Sequence, residues 1–214
     1  MALGACGGGS GDGEEHRLIA ALGDSITAGN PGYDPHPETR RQLGLGNDPK
    51  SQWEWWAQKE HPELEFRNCG ARGERTDEIA RRFEDCVADA DAVVIQGGIN
   101  DIAAGVPPPA VLANLRAMVR VAKAKDLDVA LGDVLPYGPA PQADPVIDRL
   151  NRRIEAIGRG AGVTVLPFHR VLEDPDHPGV MKREWTADGI HPSVEGYRRL
   201  GELAFTPPAA TAAD

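Results

Sequence analysis

A serine near the start of the chain and an aspartate with a histidine near its end are the residue types that acyl-transfer chemistry requires. Ser25 follows an apolar run in the segment 23–27, Gly-Asp-Ser-Ile-Thr, and Asp188 precedes His191 by three residues. In a Ser-His-Asp triad the histidine removes the serine proton, while the carboxylate orients the imidazole and stabilises its charged form. The sequence therefore predicts a nucleophile at Ser25, a general base at His191 and an orienting carboxylate at Asp188.

Four separated sequence blocks, taken together, resemble those of the SGNH hydrolases, also called the GDSL esterase and lipase family. They are the segments 23–26 (Gly-Asp-Ser-Ile), 68–73 (Asn-Cys-Gly-Ala-Arg-Gly), 98–101 (Gly-Ile-Asn-Asp) and 188–191 (Asp-Gly-Ile-His). They stand in the family's order and span nearly the whole chain, whereas a single short glycine motif recurs by chance. Two features depart from the family pattern. Ile26 stands where the GDSL motif has leucine, and the residues Cys-Gly-Ala at 69–71 are unusual before the glycine at 73.

The resemblance implies three donors for the oxyanion of a tetrahedral intermediate: the backbone N–H groups of Ser25 and Gly73, and the side-chain amide of Asn100. A serine that opens a helix presents its N–H to developing negative charge, a glycine lets the backbone approach substrate closely, and a carboxamide is a neutral donor. Taken singly, each block also fits an ordinary turn or helix cap. We interpret Asp24 and Asp101 as structural, holding their loops by hydrogen bonds to the backbone.

Short apolar runs alternate with helical patterns along the chain, as in folds built on a buried parallel sheet. The sequence predicts strands over 17–22, 64–68, 92–96, 128–133 and 163–166. It predicts helices over 51–60, 76–88, 109–125, 145–158 and 193–203. The expected fold is α/β, a three-layer α/β/α sandwich with a five-stranded parallel sheet, the flavodoxin-like fold of SGNH hydrolases. Ligands of such sheets bind beyond the carboxyl ends of the strands, where all four blocks fall.

Length and composition fit one globular domain. The chain has 214 residues, of which 41% are hydrophobic, and that is enough for a sizeable core. We expect a hydrolase domain over 17–205, a flexible leader or tether over 1–16 and a flexible tail over 206–214. The net charge of −10 argues against a nucleic-acid-binding surface. No apolar stretch approaches the length of about 18 residues that predicts a membrane span.

The N-terminal segment 3–6, Leu-Gly-Ala-Cys, fits the small-residue pattern before the lipidated cysteine of a bacterial lipoprotein, and a glycine-rich tether follows it. We therefore expect an extracellular or cell-envelope lipoprotein with membrane anchoring through Cys6. The charged and apolar parts of a signal peptide are missing, so a non-native leader on a cytoplasmic enzyme is the alternative. Cys69 and Cys86 accordingly form one disulfide in an oxidising compartment, or remain two buried thiols in the cytosol.

The leading functional hypothesis is a serine esterase that hydrolyses small, short-chain acyl esters through an acyl-enzyme on Ser25, without a metal or cofactor. The other histidines lack the short spacings of zinc ligands. Tyr33, in the long loop over 29–50, and Trp185 are candidates for contacting substrate. The alternatives within the family are a carbohydrate acetyl esterase and a lysophospholipase. From another class, a surface lipoprotein that binds ligand without turnover remains open, although such a protein has no need of an ordered nucleophile and base.

Overall fold

A parallel sheet of five strands organises the part of the chain that the computed structural model describes, residues 16–209. The strands lie in the order β2-β1-β3-β4-β5, and every neighbouring pair is parallel. The α/β fold with a five-stranded parallel sheet, predicted from the sequence, is confirmed. The strands are β1 (Arg17–Gly23), β2 (Leu64–Gly70), β3 (Ala92–Ile95), β4 (Asp128–Gly132) and β5 (Thr164–Leu166).

Helices connect the strands, and a short antiparallel hairpin follows β5. The hairpin pairs β6 (Glu173–Asp174) with β7 (His177–Met181). Sequence patterns predicted the longer helices and a helix opening at Ser25, but neither the hairpin nor the short helices over 37–43, 99–103 and 168–172, because segments of one or two turns carry little periodicity. The described α-helices are α1 (Ser25–Ala28), α2 (Pro37–Leu43), α3 (Trp53–Glu60), α4 (Thr76–Arg81), α5 (Phe83–Cys86), α6 (Ile99–Ala103), α7 (Pro108–Ala124), α8 (Asp144–Ala161), α9 (Phe168–Leu172) and α10 (Val194–Arg199).

The alternation of side chains along β1 explains the three layers. Residues 19–22 are completely buried, and because successive strand residues point to opposite faces, they feed two separate cores. Ala20 and Leu22 pack with apolar side chains of α4, α5, α7 and α8. Ile19 and Ala21 pack on the other face with side chains of α1, α3, α9 and α10, including the fully buried Trp53. Both faces of the sheet are therefore covered by helices.

The helix expected over 76–88 is interrupted at Arg82, whose backbone lies between α4 and α5 with φ −95° and ψ 1°. The Arg82 guanidinium donates to the carbonyl oxygens of Cys69 and Gly23 at 2.9 and 3.2 Å. It also pairs with Glu74 at 2.7 Å. The interruption thus coincides with a side chain that ties the ends of β1 and β2 to the loop between β2 and α4.

Cys69 and Cys86 form a disulfide that joins the end of β2 to the end of α5, with Cα atoms 6.0 Å apart. Of the two alternatives left open by the sequence, the structure contains the bonded pair.

The two expected terminal segments differ in how much of them is described. Cys6 and the leader up to residue 15 lie outside the described residues. At the other end, Pro208 is buried and its carbonyl accepts a hydrogen bond from Arg17 at 2.9 Å. Pro208, in the segment expected as a tail, therefore contacts the first strand. None of the described helices is both long and apolar enough to cross a membrane.

Candidate active site

Ser25 lies where β1 gives way to α1. The backbone turns at Asp24, whose Oδ1 accepts a hydrogen bond from the N–H of Ile26 at 2.8 Å and so caps the helix. Ser25 is the first helical residue, and its N–H is among those at a helix start that have no partner within the helix. The strand and the cap together fix the position of the serine hydroxyl.

His191 and Asp188 lie in one tight loop that reaches the serine from the far end of the chain. Asp188 Oδ1 accepts from the backbone N–H groups of Ile190 and His191 at 2.9 and 2.8 Å. Its Oδ2 lies 2.7 Å from His191 Nδ1. His191 Nε2 in turn lies 3.0 Å from Ser25 Oγ. A glycine suits the position between Asp188 and Ile190, because Gly189 has φ +87°.

These contacts define the protonation state of the loop. Because an ionised carboxylate only accepts hydrogen bonds, Nδ1 of His191 carries the proton and Nε2 is left to accept the serine hydroxyl. Burial raises the pKa of Asp188, but hydrogen bonds from the N–H and imidazole of His191 and from Ile190 outweigh it and leave this pKa below its usual value. The carboxylate is therefore held in its charged form beside the imidazole.

Three candidate oxyanion donors border one small pocket. Ser25, Gly73 and Asn100 line a pocket of about 170 Å³ that His191 also lines. Gly73 has φ +77°, and nothing lies within 4 Å of the place where a side chain would begin. Asn100 donates one amide hydrogen to the carbonyl of Glu74 at 2.9 Å, which orients the carboxamide and leaves its second hydrogen for a ligand.

Asp101 holds the elements that carry these donors. Its carboxylate accepts from the N–H and the hydroxyl of Thr76 at 2.9 and 2.8 Å, so α6 is tied to the start of α4. Asn114 of α7 also donates to the Thr76 hydroxyl, at 2.9 Å. The loop-holding role expected for Asp24 and Asp101 agrees with their hydrogen bonds.

A second link connects the helix after the histidine to the serine. Tyr197 of α10 is fully buried and donates to the carbonyl of Asn30 at 3.2 Å. The N–H of Asn30 donates to the carbonyl of Ser25 at 3.1 Å. Ser25 and the loop of Asp188 and His191, 163 residues or more apart in the chain, are thus joined through the backbone as well as through the side chains of the candidate triad.

The two side chains that the sequence suggested for substrate contact do not line this pocket. The Tyr33 ring is covered by the guanidinium of Arg40, 5.2 Å from its centre. Trp185 is covered by Arg199, whose guanidinium carbon lies 3.8 Å from the centre of the indole. Each ring thus stacks on the guanidinium of a helical arginine, Arg40 of α2 and Arg199 of α10.

Other side chains that the sequence reasoning did not single out border the pocket. The remaining lining residues are Arg72, Ile99, Ala103, Tyr137 and Ile190. Tyr137 belongs to the loop after β4, so the rule that ligands bind beyond the carboxyl ends of parallel strands could have identified it. Arg72 stands inside the glycine block and its exposed position beside Gly73 carried no local signal.

Comparison with sequence families gives one match. A sequence model of the GDSL-like Lipase/Acylhydrolase family matches residues 21–199. A search of curated proteins found no match.

The fold is shared with several solved structures. A proposed lipolytic protein of the G-D-S-L family from Desulfitobacterium hafniense is 24% identical, with a TM-score of 0.71 over 87% of this chain and 96% of that one. TesA is 24% identical, with a TM-score of 0.66 over 87% and 94% of the two chains. An acetyl xylan esterase from Geobacillus stearothermophilus is 22% identical, with a TM-score of 0.65 over 87% and 91%. At these identities the likeness concerns the fold alone.

Proposed function

The chain belongs to the GDSL-like lipase/acylhydrolase family, and we propose that it is a serine esterase that hydrolyses short-chain acyl esters through Ser25, His191 and Asp188. The observation that carries the proposal is the continuous hydrogen-bonded chain from Asp188 Oδ2 through the imidazole to Ser25 Oγ. Nucleophile, base and orienting carboxylate stand in the order that this chemistry needs.

In the acylation step, Ser25 Oγ attacks the carbonyl carbon of the ester while its proton passes to His191 Nε2. The tetrahedral intermediate then collapses, the bond to the leaving alkoxide breaks, and Nε2 returns the proton to that oxygen. In deacylation, a water molecule gives its proton to Nε2 and attacks the acyl-enzyme. The acid is released and Ser25 recovers its proton from Nε2. Asp188 stabilises the imidazolium in both steps.

The negative charge of each tetrahedral intermediate falls on the former carbonyl oxygen. The N–H groups of Ser25 and Gly73 and the second amide hydrogen of Asn100 are the donors that we assign to it. Donors that are fixed before the reaction stabilise the charge without reorganising. The Asn100 carboxamide is fixed in this way by its bond to the Glu74 carbonyl.

The size of the pocket supports short acyl groups. Its volume is about 170 Å³, whereas pockets for larger ligands reach about 300–1,000 Å³. The lining of the pocket includes the apolar side chains of Ile99, Ala103 and Ile190. An acetyl or similarly short acyl group fits within this pocket, whereas a long acyl chain extends beyond it.

A second candidate is removal of acetyl groups from carbohydrate, which uses the same site. The observation that favours it is the aromatic ring of Tyr137 at the wall of the small pocket, because aromatic faces and hydroxyls suit sugar rings. The acetyl xylan esterase with the same fold performs its named reaction on an architecture of this kind.

The test is hydrolysis of chromogenic esters from acetate to long chains, with an acetylated oligosaccharide alongside. Wild type is compared with Ser25→Ala and with Ser51→Ala as a matched control, because both serines are 4% exposed. We expect activity on the shortest esters that falls by up to about a million-fold in Ser25→Ala and is retained in Ser51→Ala. Full activity in Ser25→Ala, or a folded wild type inactive on every ester, contradicts the proposal. The latter result favours a ligand-binding role.

We extend the proposal to a cell-envelope location. The support is the disulfide between Cys69 and Cys86, since such bonds persist in oxidising compartments. The anchor itself, Cys6, lies outside the described residues. Labelling of the native host's protein with a fatty acid, lost in Cys6→Ser, is the expected result. A protein found unlabelled in the cytosol contradicts it.

A further inference from the structure

Two helices bring three potential metal ligands together away from Ser25. Asp144 and Asp148 stand one turn apart at the start of α8, and His169 is the second residue of α9. One donor atom from each of the three lies within 4.8 Å of the other two. None of these residues takes part in the serine chemistry, so the cluster is independent of the proposed function.

Two atoms in this cluster are buried without a partner. The His169 side chain is only 9% exposed, and its Nε2 has no hydrogen-bond partner among the described residues. Asp144 Oδ1 is likewise buried and unpartnered, 3.9 Å from that nitrogen. Buried polar atoms of proteins are nearly always satisfied by protein, water or an ion. A nitrogen and an oxygen that face each other across this distance therefore point to a ligand between them.

The surrounding charges favour a cation. Asp144 and Asp148 are like charges at i and i+4 of a helix, which repel each other. On the other side of the ring, Glu173 Oε2 lies 4.0 Å from His169 Nδ1. A carboxylate in that place suits a neutral imidazole with its proton on Nδ1, which leaves Nε2 with a free lone pair. A positive group, Arg152, lies 3.8 Å from Asp148 and is 63% exposed to solvent.

We propose that Asp144, Asp148 and His169 bind a divalent cation of the zinc type. Nε2 of His169 and one oxygen from each aspartate are the protein ligands, and water completes the coordination on the open side, since Asp148 is half exposed. Zinc takes nitrogen and oxygen ligands at about 2.0–2.2 Å, so small side-chain movements close the site. The imidazole ligand disfavours Mg²⁺ and Ca²⁺, which prefer oxygen alone.

The position gives the cation a structural role. The cation would join the start of α8 to α9. The helix α8 follows the loop that contains Tyr137 and Gly138. Gly138 donates to the carbonyl of Gly189 at 3.0 Å, inside the loop of Asp188 and His191. Sequence spacing did not predict the cluster, because the histidine and the aspartates belong to different elements.

The test is a titration of chelator-treated protein with Zn²⁺, followed by calorimetry and by thermal unfolding. The variant is Asp148→Asn, which changes a half-exposed side chain and leaves the buried ones in place. The control is His177→Asn, because His177 is 76% exposed and pairs with Asp174 at 3.1 Å as a rival surface site.

We expect one Zn²⁺ per chain, a rise in Tm with Zn²⁺, and a loss of affinity of about tenfold or more in Asp148→Asn, since even partners outside the ligand shell affect metal affinity by that factor. Asp144→Asn provides a second variant with the same expectation. His177→Asn should bind as wild type does. Binding that both aspartate variants retain, binding that disappears with His177, or a preference for Mg²⁺ over Zn²⁺ overturns the proposal.

Discussion

At the scale of single residues, the two oxygens of Asp188 have different tasks. Oδ1 accepts two backbone N–H groups of its own loop, and Oδ2 faces the imidazole. The first oxygen therefore fixes the orientation of the carboxylate, and the second fixes the tautomer of His191. This division determines what an isosteric substitution does.

In Asp188→Asn, the two backbone N–H groups hold the amide oxygen in the place of Oδ1, so the amide nitrogen takes the place of Oδ2. A donor then faces His191 Nδ1, which forces the imidazole proton onto Nε2 and removes the base from Ser25. We expect kcat to fall by about 10⁴-fold, the size of this effect in a known triad, with KM nearly unchanged. His191→Ala should fall further, and an Asn variant equal to or worse than it contradicts the orienting role. Steady-state kinetics on a short ester make the comparison.

The residues of the proposed triad could be picked from the sequence because their chemistry is distinctive and the resemblance supplied their places. The residues that line the pocket wall could not be predicted from the sequence. Tyr137 approaches the serine only through the fold, and Trp185, which stands three residues before Asp188, turns away to Arg199. A residue close in sequence to the site has its backbone near the site, but the orientation of its side chain depends on its neighbours in space.

At the scale of elements, the strands were predictable because a buried parallel strand is a nearly continuous apolar run. All four residues of β3 are buried, for example. A helix opening at Ser25 was predicted, whereas the one-turn helix α6, which carries Asn100, was not. Each begins at a special backbone position, the Asp24 cap and Gly98 with φ +121°. The first start is a local side-chain cap that the sequence indicates, whereas Gly98 makes no side-chain cap and no local pattern marks the start of α6.

The disulfide is the element-scale feature with the clearest energetic consequence. The bonded cysteines are 17 residues apart in the sequence, and the bond links β2 to α5. In the chain-entropy model, closing a loop of this size stabilises the fold by about 3 kcal/mol. We expect the free energy of unfolding to fall by about that amount in a variant with both Cys69→Ala and Cys86→Ala, measured by urea denaturation.

Thiol titration provides the independent control for this prediction. The chain has three cysteines, so protein made without lipid on Cys6 and denatured without reductant should show one reactive thiol, that of Cys6, and three after reduction. Three thiols before reduction, in protein purified from an oxidising compartment, contradict the bonded pair. A double variant as stable as wild type contradicts the expected stabilisation of the fold by the disulfide.

At the scale of the whole molecule, the strand order explains why the site lies where it does. The chain runs outward from β1 to β2 on one side and from β3 onward on the other. Between β1 and β3 the connections leave in opposite directions and open a crevice at the carboxyl ends. Ser25 follows β1 and Asn100 follows β3, so the proposed nucleophile and one proposed oxyanion donor flank this crevice.

The same crevice contains a buried acid whose titration affects the stability of the entire fold. Asp24 is fully buried, and this burial raises its pKa from 3.8 to about 7, although hydrogen bonds from Ile26 and Gln96 act against the shift. In the unfolded chain the carboxyl has its ordinary pKa. Between about pH 4 and pH 7 the folded state therefore keeps a proton that the unfolded state has released. The contribution of Asp24 to the free energy of unfolding is full below that window and is lost as the pH rises through it.

Asp24→Asn removes this dependence, because the carboxamide stays neutral and its oxygen still accepts from the N–H of Ile26. The free energy of unfolding of the variant minus that of wild type should therefore rise from about pH 4 to about pH 7 and level off above, since both states of wild type are then ionised at this position. Urea denaturation at a series of pH values measures the difference. The exposed Asp126 provides the control substitution, Asp126→Asn. A difference that stays flat or falls across the window shows that Asp24 is ionised in the folded protein, with the buried charge stabilised by Gln96 and the helix start.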